Sequence, residues 1–363
     1  MTMWNYATIP TRCPYTFREI DPAATESPYV ADPDEAQLPP GWQNSGVITF
    51  AMAGARTSGK SIYIAVVVKL LERLTIEYGG TFDPADDFTR ASYAEHYEAP
   101  LFGTGPEERR RVLRPTVPME NAEAHQRRPL IFRLGRPRRR HGESQNIFVV
   151  FRDVAGEDLE AQDFNERLPH LDFFQHADSV IYLYDPLGVP EIRTLLDGSV
   201  PLTSVSAAEP VTVLKNVVRA LGPHRPTFAL TLAKFDIMQE IQHLAVYGGT
   251  AAGRSEEVNW HAVMNNLGAA FRRAGSSYDR EYSVSDTNLL HEEIRAMLMS
   301  LGAREMFNVL EQPLFGEGPH HYRCYAVSSL GASPSGENIS NSGLAPFRCL
   351  DPLRAEFNRF GLF

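Results

Sequence analysis

The feature that most constrains this chain is the run Gly46-Val-Ile-Thr-Phe-Ala-Met-Ala-Gly-Ala-Arg-Thr-Ser-Gly-Lys-Ser61. An apolar stretch, Val47 to Ala53, stops at Gly54; Gly54 to Ser61 then spells G-x-x-x-x-G-K-S, and a long apolar segment, Ile62 to Leu74, follows at once. Strand, glycine loop and helix in that order are the context in which such a loop cradles phosphate. Gly54 and Gly59 let the backbone turn tightly, so that the N–H groups of Arg56, Thr57, Ser58, Gly59, Lys60, Ser61 and Ile62 line a cradle for phosphate oxygens. The helix that starts near Lys60 adds the positive end of its dipole. In this reading Lys60 reaches the terminal phosphates and the Ser61 hydroxyl holds Mg²⁺.

Two further boxes come later. The run Asn146 to Asp153 reads as a strand with an apolar centre, Ile147 to Phe151, and opens the box Asp153-Val-Ala-Gly156-Glu157. An aspartate directly after such a strand is placed to hold a metal-bound water, and Gly156 is placed to offer its N–H to the last phosphate because no side chain blocks the approach. Loss of that phosphate would free the segment that follows. The strand from Thr227 ends in Ala233-Lys234-Phe235-Asp236. There the Asp236 carboxylate accepts from N1–H and the exocyclic amine of guanine, while the Lys234 stem packs on the ring. Adenine would leave that carboxylate unpaired, at roughly 10⁴-fold or more in discrimination. The turn Ser328-Ser329-Leu330, after the last strand, brings backbone N–H groups to the base edge.

With these four boxes in this order, the chain resembles the Ras-like and translation-factor class of P-loop GTPases. More narrowly it is similar to bacterial GTPases of the double-GTPase type, found in multi-component systems, with Cys13-Pro14 and Asp351-Pro352-Leu353 as echoes of that group's motifs. The resemblance implies an α/β fold with a mixed, mostly parallel six-stranded sheet flanked by helices. It also implies GTP and GDP with Mg²⁺ as ligands, and a molecular switch with regulatory or effector proteins, or a second copy of the chain, as partners. Three departures stand out. Ala233 replaces the Asn or Thr whose side chain ties the base loop to the phosphate loop. Glu157 sits where a Gln orients the attacking water, and its charge is ill placed beside a phosphate. Arg56 fills a glycine slot, either as an arginine finger in cis or pointing outward. Intrinsic turnover is accordingly expected to be slow, on the order of 10⁻⁴ to 10⁻² s⁻¹. A partner-driven ATPase, in which Asp236 reads no base, is the other function class.

The remaining chain sets the organisation. Residues 1–44 carry Pro10, Pro14, Pro22, Pro28, Pro33, Pro39 and Pro40, which forbid long helices or central strands. They are expected to form an extended arm across the surface or to be partly disordered, with the P-loop domain running from 45 to 363. Residues 81–128 form a long polar switch loop, in which Thr116, with Thr104 as competitor, is the candidate sensor of Mg²⁺ and the last phosphate. Residues 237–320 read as a helical insertion. The turn between the strands at 129–134 and 146–153 carries Arg136, Arg138, Arg139 and Arg140; a solvated turn is favoured over a docking site for an acidic partner. A formal charge of −10 argues against a nucleic-acid binder. Three distant cysteines, with no apolar run of membrane-spanning length and no signal peptide, lead to a cytoplasmic expectation.

Overall fold

The computed structural model describes residues 8–32, 36–102, 128–160, 164–200, 209–243, 247–248, 257–272, 281–332 and 344–363. Strand β1 (Gly46–Ala53) is buried along its whole length, which is why its sequence is a continuous apolar run and not an alternating one. Helix α1 (Lys60–Glu77) follows the glycine loop. It ends where Gly79 takes φ 74° and Gly80 N donates back to Thr75 O at 2.8 Å, closing the last turn.

Next come β2 (Asp83–Pro84) and helix α2 (Asp87–Tyr93). The Asp86 side chain accepts from Thr89 N at 2.6 Å and so caps α2. A π-helical turn, Ala94–Glu98, continues it. The antiparallel pair β3 (Leu130–Gly135) and β4 (Ile147–Arg152) leads to the short helix α3 (Gly156–Glu160). Strand β5 (Ser179–Tyr184), helix α4 (Pro210–Leu221), β6 (Thr227–Leu232), helices α5 (Val284–Ser300) and α6 (Arg304–Glu311), β7 (Tyr322–Ala326) and helix α7 (Asp351–Arg359) complete the framework.

The sheet order is β2-β3-β4-β1-β5-β6-β7, with β4, β1, β5, β6 and β7 mutually parallel and β2 and β3 antiparallel at one edge. The sheet therefore has seven strands where six are expected. The addition is β2, two residues ending in proline, paired to β3 through Asp83 and Pro84. A proline is tolerated there because the strand lies at an edge.

The residues ahead of β1 are tied into the same core. Phe17 and Trp42 are fully buried; Trp42 packs on Phe148 with ring centroids 4.6 Å apart and donates from Nε1 to Arg12 O at 3.1 Å. Arg12 in turn pairs with the buried Asp178 at 3.1 Å. The arginine-rich turn also has internal partners. Arg139 Nε donates to Phe360 O at 3.2 Å, Arg140 N to Gly361 O at 2.8 Å, and the Arg140 guanidinium to Asn358 Oδ1 at 3.0 Å and Phe363 O at 2.8 Å. Arg136 and Arg138 remain exposed. Among the described residues no helix is long and apolar enough to cross a membrane.

Candidate functional site at the carboxyl ends of the strands

The glycine loop between β1 and α1 has three residues at positive φ: Gly54 at 143°, Thr57 at 62° and Gly59 at 92°. Alternation of left- and right-handed backbone turns successive N–H groups to one side, the geometry of an anion-binding concavity. At Gly54 the requirement is steric as well, since a Cβ would lie 2.1 Å from Leu183 O at the end of β5. Ser58 is buried and its Oγ has no hydrogen-bond partner among the described residues. Arg56 and Thr57 are exposed at the rim, while Ile62 packs against the core from the first turn of α1.

Lys60, the first residue of α1, is buried and curls back over the loop, donating to Gly54 O at 2.7 Å and Ala55 O at 2.9 Å. Burial lowers its pKa, and the nearby Asp153, Glu160 and Glu157 carboxylates oppose that effect. Ser61 Oγ donates to Asp153 Oδ2 at 2.9 Å, so the two residues expected at the metal side are in direct contact. Burial raises the pKa of Asp153, against the Lys60 charge and the Ser61 hydrogen bond. Tyr97, fully buried in the π-helical turn, faces the same carboxylate. A hydroxyl and a buried carboxylate side by side form an all-oxygen donor set that suits a hard cation such as Mg²⁺.

Helix α3 presses on the loop from the other side. A Cβ at Gly156 would fall 2.1 Å from Arg56 N, so only glycine permits this approach. Two carboxylates from α3 engage the loop: Glu160 Oε1 accepts from Arg56 N at 2.5 Å, and Glu157 Oε1 pairs with the Arg56 guanidinium at 2.8 Å. Arg56 thus points toward α3, and the two residues weighed as hydrolytic groups hold each other. Glu160 places an anion on a loop N–H, the kind of partner that the concavity favours. The far end of α3 is anchored by Asn216 Nδ2, which donates to Leu159 O at 2.8 Å.

The base-side boxes meet in a second cluster. Lys234 follows β6 in the left-handed conformation, φ 51°. Phe235 N donates to Val327 O at 3.0 Å, stitching this loop to the end of β7. Ser328 Oγ donates to Asp236 Oδ1 at 2.6 Å and accepts from Gly331 N at 2.9 Å. Ser328 also exchanges backbone hydrogen bonds with Phe347 at 3.1 and 2.8 Å. Ser329 and Leu330 are half-buried beside it, and Leu330 O accepts from Ala345 N at 3.0 Å. Lys234 Nζ meets Asp185 Oδ2 at 2.5 Å.

The structure therefore gathers Gly54 to Ile62, Asp153, Gly156 and Glu157 into one cluster, and Lys234, Asp236 and Ser328 to Leu330 into another. Both lie beyond the carboxyl ends of the parallel strands, where open α/β sheets place ligands. Thr116 and Thr104 lie outside the described residues. Sequence reading singled out neither Glu160, Asp185 nor Tyr97. Asp185 alone left a trace, as an acid directly after an apolar strand and before Pro186. Cys13 is buried with Sγ 3.0 Å from Ser27 Oγ, and no group of three or more metal-ligating side chains occurs among the described residues.

No protein-family model matches the chain. A curated relative, the putative ESX-1 scaffolding and assembly protein SaeC of Mycolicibacterium smegmatis, is 38% identical over 325 residues, which cover 90% of this chain and 78% of the relative. Among solved structures, the GTPase-like domain of Ski7 from S. cerevisiae, bound to GTP, aligns at 10% identity and a TM-score of 0.31, over 87% of this chain and 51% of that one.

Proposed function

The chain belongs to the family of the mycobacterial protein SaeC, and from that premise we propose that it is a Mg²⁺-dependent guanine-nucleotide-binding protein and slow GTPase. In this reading it acts as a cytoplasmic molecular switch within a multi-protein bacterial assembly. The relative's description as a scaffolding and assembly protein supports protein partners, regulatory or effector, as the recipients of the switch. The observation that carries the reading is the pairing of the two clusters: an amide-lined loop with Lys60 and Ser61 at one end, and a fixed carboxylate, Asp236, at the other.

Each residue then has a task. Loop N–H groups from Arg56 to Ile62 and the Lys60 ammonium bind the phosphates, Lys60 exchanging the Gly54 and Ala55 carbonyls for phosphate oxygens. Ser61 would hold Mg²⁺ directly and Asp153 through a metal-bound water, and Mg²⁺ when bound neutralises charge on the phosphates. Asp236 accepts from the guanine edge, held in place by the Ser328 hydroxyl, while Lys234 covers the ring. Ser329 and Leu330 present backbone N–H groups to the base. Glu157 stands next to Gly156 to orient water, its charge offset by Arg56. Thr116 is the proposed sensor of the last phosphate. A phosphate that takes the Arg56 N–H must displace Glu160, which couples occupancy to the position of α3.

Isothermal titration of the purified chain with Mg·GDP and Mg·ADP tests this. Micromolar or tighter GDP binding with far weaker ADP binding is expected, as is single-turnover hydrolysis on the order of 10⁻⁴ to 10⁻² s⁻¹. Equal uptake of both would leave the phosphate grip and overturn the guanine choice, in favour of a partner-driven ATPase. No uptake of either would overturn the whole reading.

A further inference from the structure

The end of β5 lies between the two clusters and touches both. Leu183 O fills the space where a Cβ of Gly54 would be, and two residues on, Asp185 meets Lys234 Nζ at 2.5 Å. Asp185 is buried, and its carboxylate is fixed from the other side by Leu187 N, which donates to Oδ1 at 2.9 Å. The neighbouring strands reinforce the arrangement, since Ala233 N donates to Tyr184 O at 3.0 Å. Ala233 contributes only a methyl group, and the Asp185–Lys234 pair supplies a side-chain link between the base loop and the middle of the sheet.

Lysine has a long, flexible stem and loses much rotamer freedom when it is held in one place. Here the ammonium is pinned at its far end and the backbone is pinned in the left-handed region. The four-carbon stem between them is thereby confined before any ligand arrives. We propose that Asp185 is a positioning residue for nucleotide recognition: it holds the Lys234 stem in place as a ready platform for the face of a purine base. This rests on the guanine-nucleotide reading above. Asp185 itself touches no ligand in this scheme and acts wholly through Lys234.

The consequence is non-additivity. Asp185→Asn keeps an oxygen for Leu187 N and removes the charge that holds the ammonium. Affinity for Mg·GDP, measured by titration, is expected to fall about tenfold. Lys234→Met retains an unbranched apolar stem but offers Asp185 nothing to hold. In the Lys234→Met background, Asp185→Asn should change GDP affinity by less than about twofold, the signature of one residue acting through another. Thermal melting of each variant checks that the fold is intact; were Asp185→Asn to unfold the chain, Asp185→Glu, which keeps the charge, is expected to restore GDP binding to within about threefold of the parent.

Three results would overturn the inference: no loss in Asp185→Asn, an equal loss in both backgrounds, or a folded Asp185→Glu variant that binds no better than Asp185→Asn. If the parent protein takes up GDP, these outcomes strike this inference alone. A parent that takes up no guanine nucleotide removes the reading beneath it and this inference together.

Discussion

The loop cluster proposed as the phosphate end and the Asp236 cluster proposed as the base end are held in different ways. At the phosphate end, Lys60 and the Arg56 N–H are satisfied by groups that a ligand must replace: two carbonyls of the loop and the Glu160 carboxylate. The Arg56–Glu157 pair there is partly open to solvent, with 53% and 29% of the two side chains exposed, so it contributes little to stability. At the base end, Asp236 is braced by Ser328 and Lys234 by the buried Asp185, contacts that the proposed ligand leaves in place. In the proposed reading one end exchanges partners on binding and the other is organised beforehand. A pre-organised end loses less freedom when a ligand arrives and so gains in selectivity, whereas the exchanging end can report occupancy by moving.

The strongest way to break this contrast is at the braced carboxylate. Asp236→Ala should abolish the preference for GDP over ADP, a change on the order of 10⁴-fold in the ratio of their affinities. Titration with both nucleotides checks it, and a preserved ratio would remove Asp236 from the base site. At the other end, Lys60→Ala deletes a charged donor and should weaken GDP and ADP alike, by about 100-fold each. A loss confined to one nucleotide would show that the two ends are not separable.

The frame behind the base end offers a third test. At the opposite end of the sheet Asp178, just before β5, accepts from Thr49 N and Oγ1 of β1 at 3.0 Å each, and Glu356 of α7 accepts from Thr227 Oγ1 of β6 at 2.8 Å and pairs with Arg359. Burial pushes the Glu356 carboxyl from its ordinary 4.5 up to about 7; Arg359 opposes this and Asp178 adds to it. A carboxyl whose pKa is raised by folding favours the folded state most below its unfolded pKa. That contribution is lost as pH rises through about 7. Glu356→Gln should flatten the decline in stability across this window, followed by melting temperature, an effect on the order of 3 kcal/mol. An unchanged slope would relocate the titrating group. The smallest expected change sharpens the exchanging end: Glu160→Gln weakens the internal acceptor on Arg56 N and should tighten GDP binding by about threefold. Tighter binding supports the displacement of Glu160, and weaker binding would make it part of the grip.

Much of the frame was legible in the chain because it rests on local pattern. The apolar runs of β1, β4, β5 and β6 and the boxes at their ends are each contained in about ten consecutive residues. Their order alone placed the glycine loop, Asp153 and Asp236 at one edge of a sheet. What escaped notice rests on long-range pairing. Asp185 and Lys234 are 49 positions apart, and Arg56 and Glu160 are 104 apart, distances at which no spacing rule operates. Strand β2 is too short to show a period of two, and its proline argues against a strand until a neighbour is known. The proline-rich composition ahead of β1 conceals that Phe17 and Trp42 are core residues. Proline limits regular structure there and does not prevent burial. The arginines of the β3–β4 turn could not be assigned to the carbonyls of residues 360, 361 and 363 from sequence, since only the folded chain brings those oxygens within reach.

The curled Lys60 has a consequence of its own. Its ammonium already has two oxygen neighbours inside the fold, so an anion that enters the cradle competes with them and with the Glu160 carboxylate. A singly charged ion such as chloride offers too little attraction to win that contest, whereas a polyphosphate brings several negative oxygens at once. In the proposed reading the loop thereby sets a threshold for admission, which a singly charged anion does not cross and a polyphosphate does.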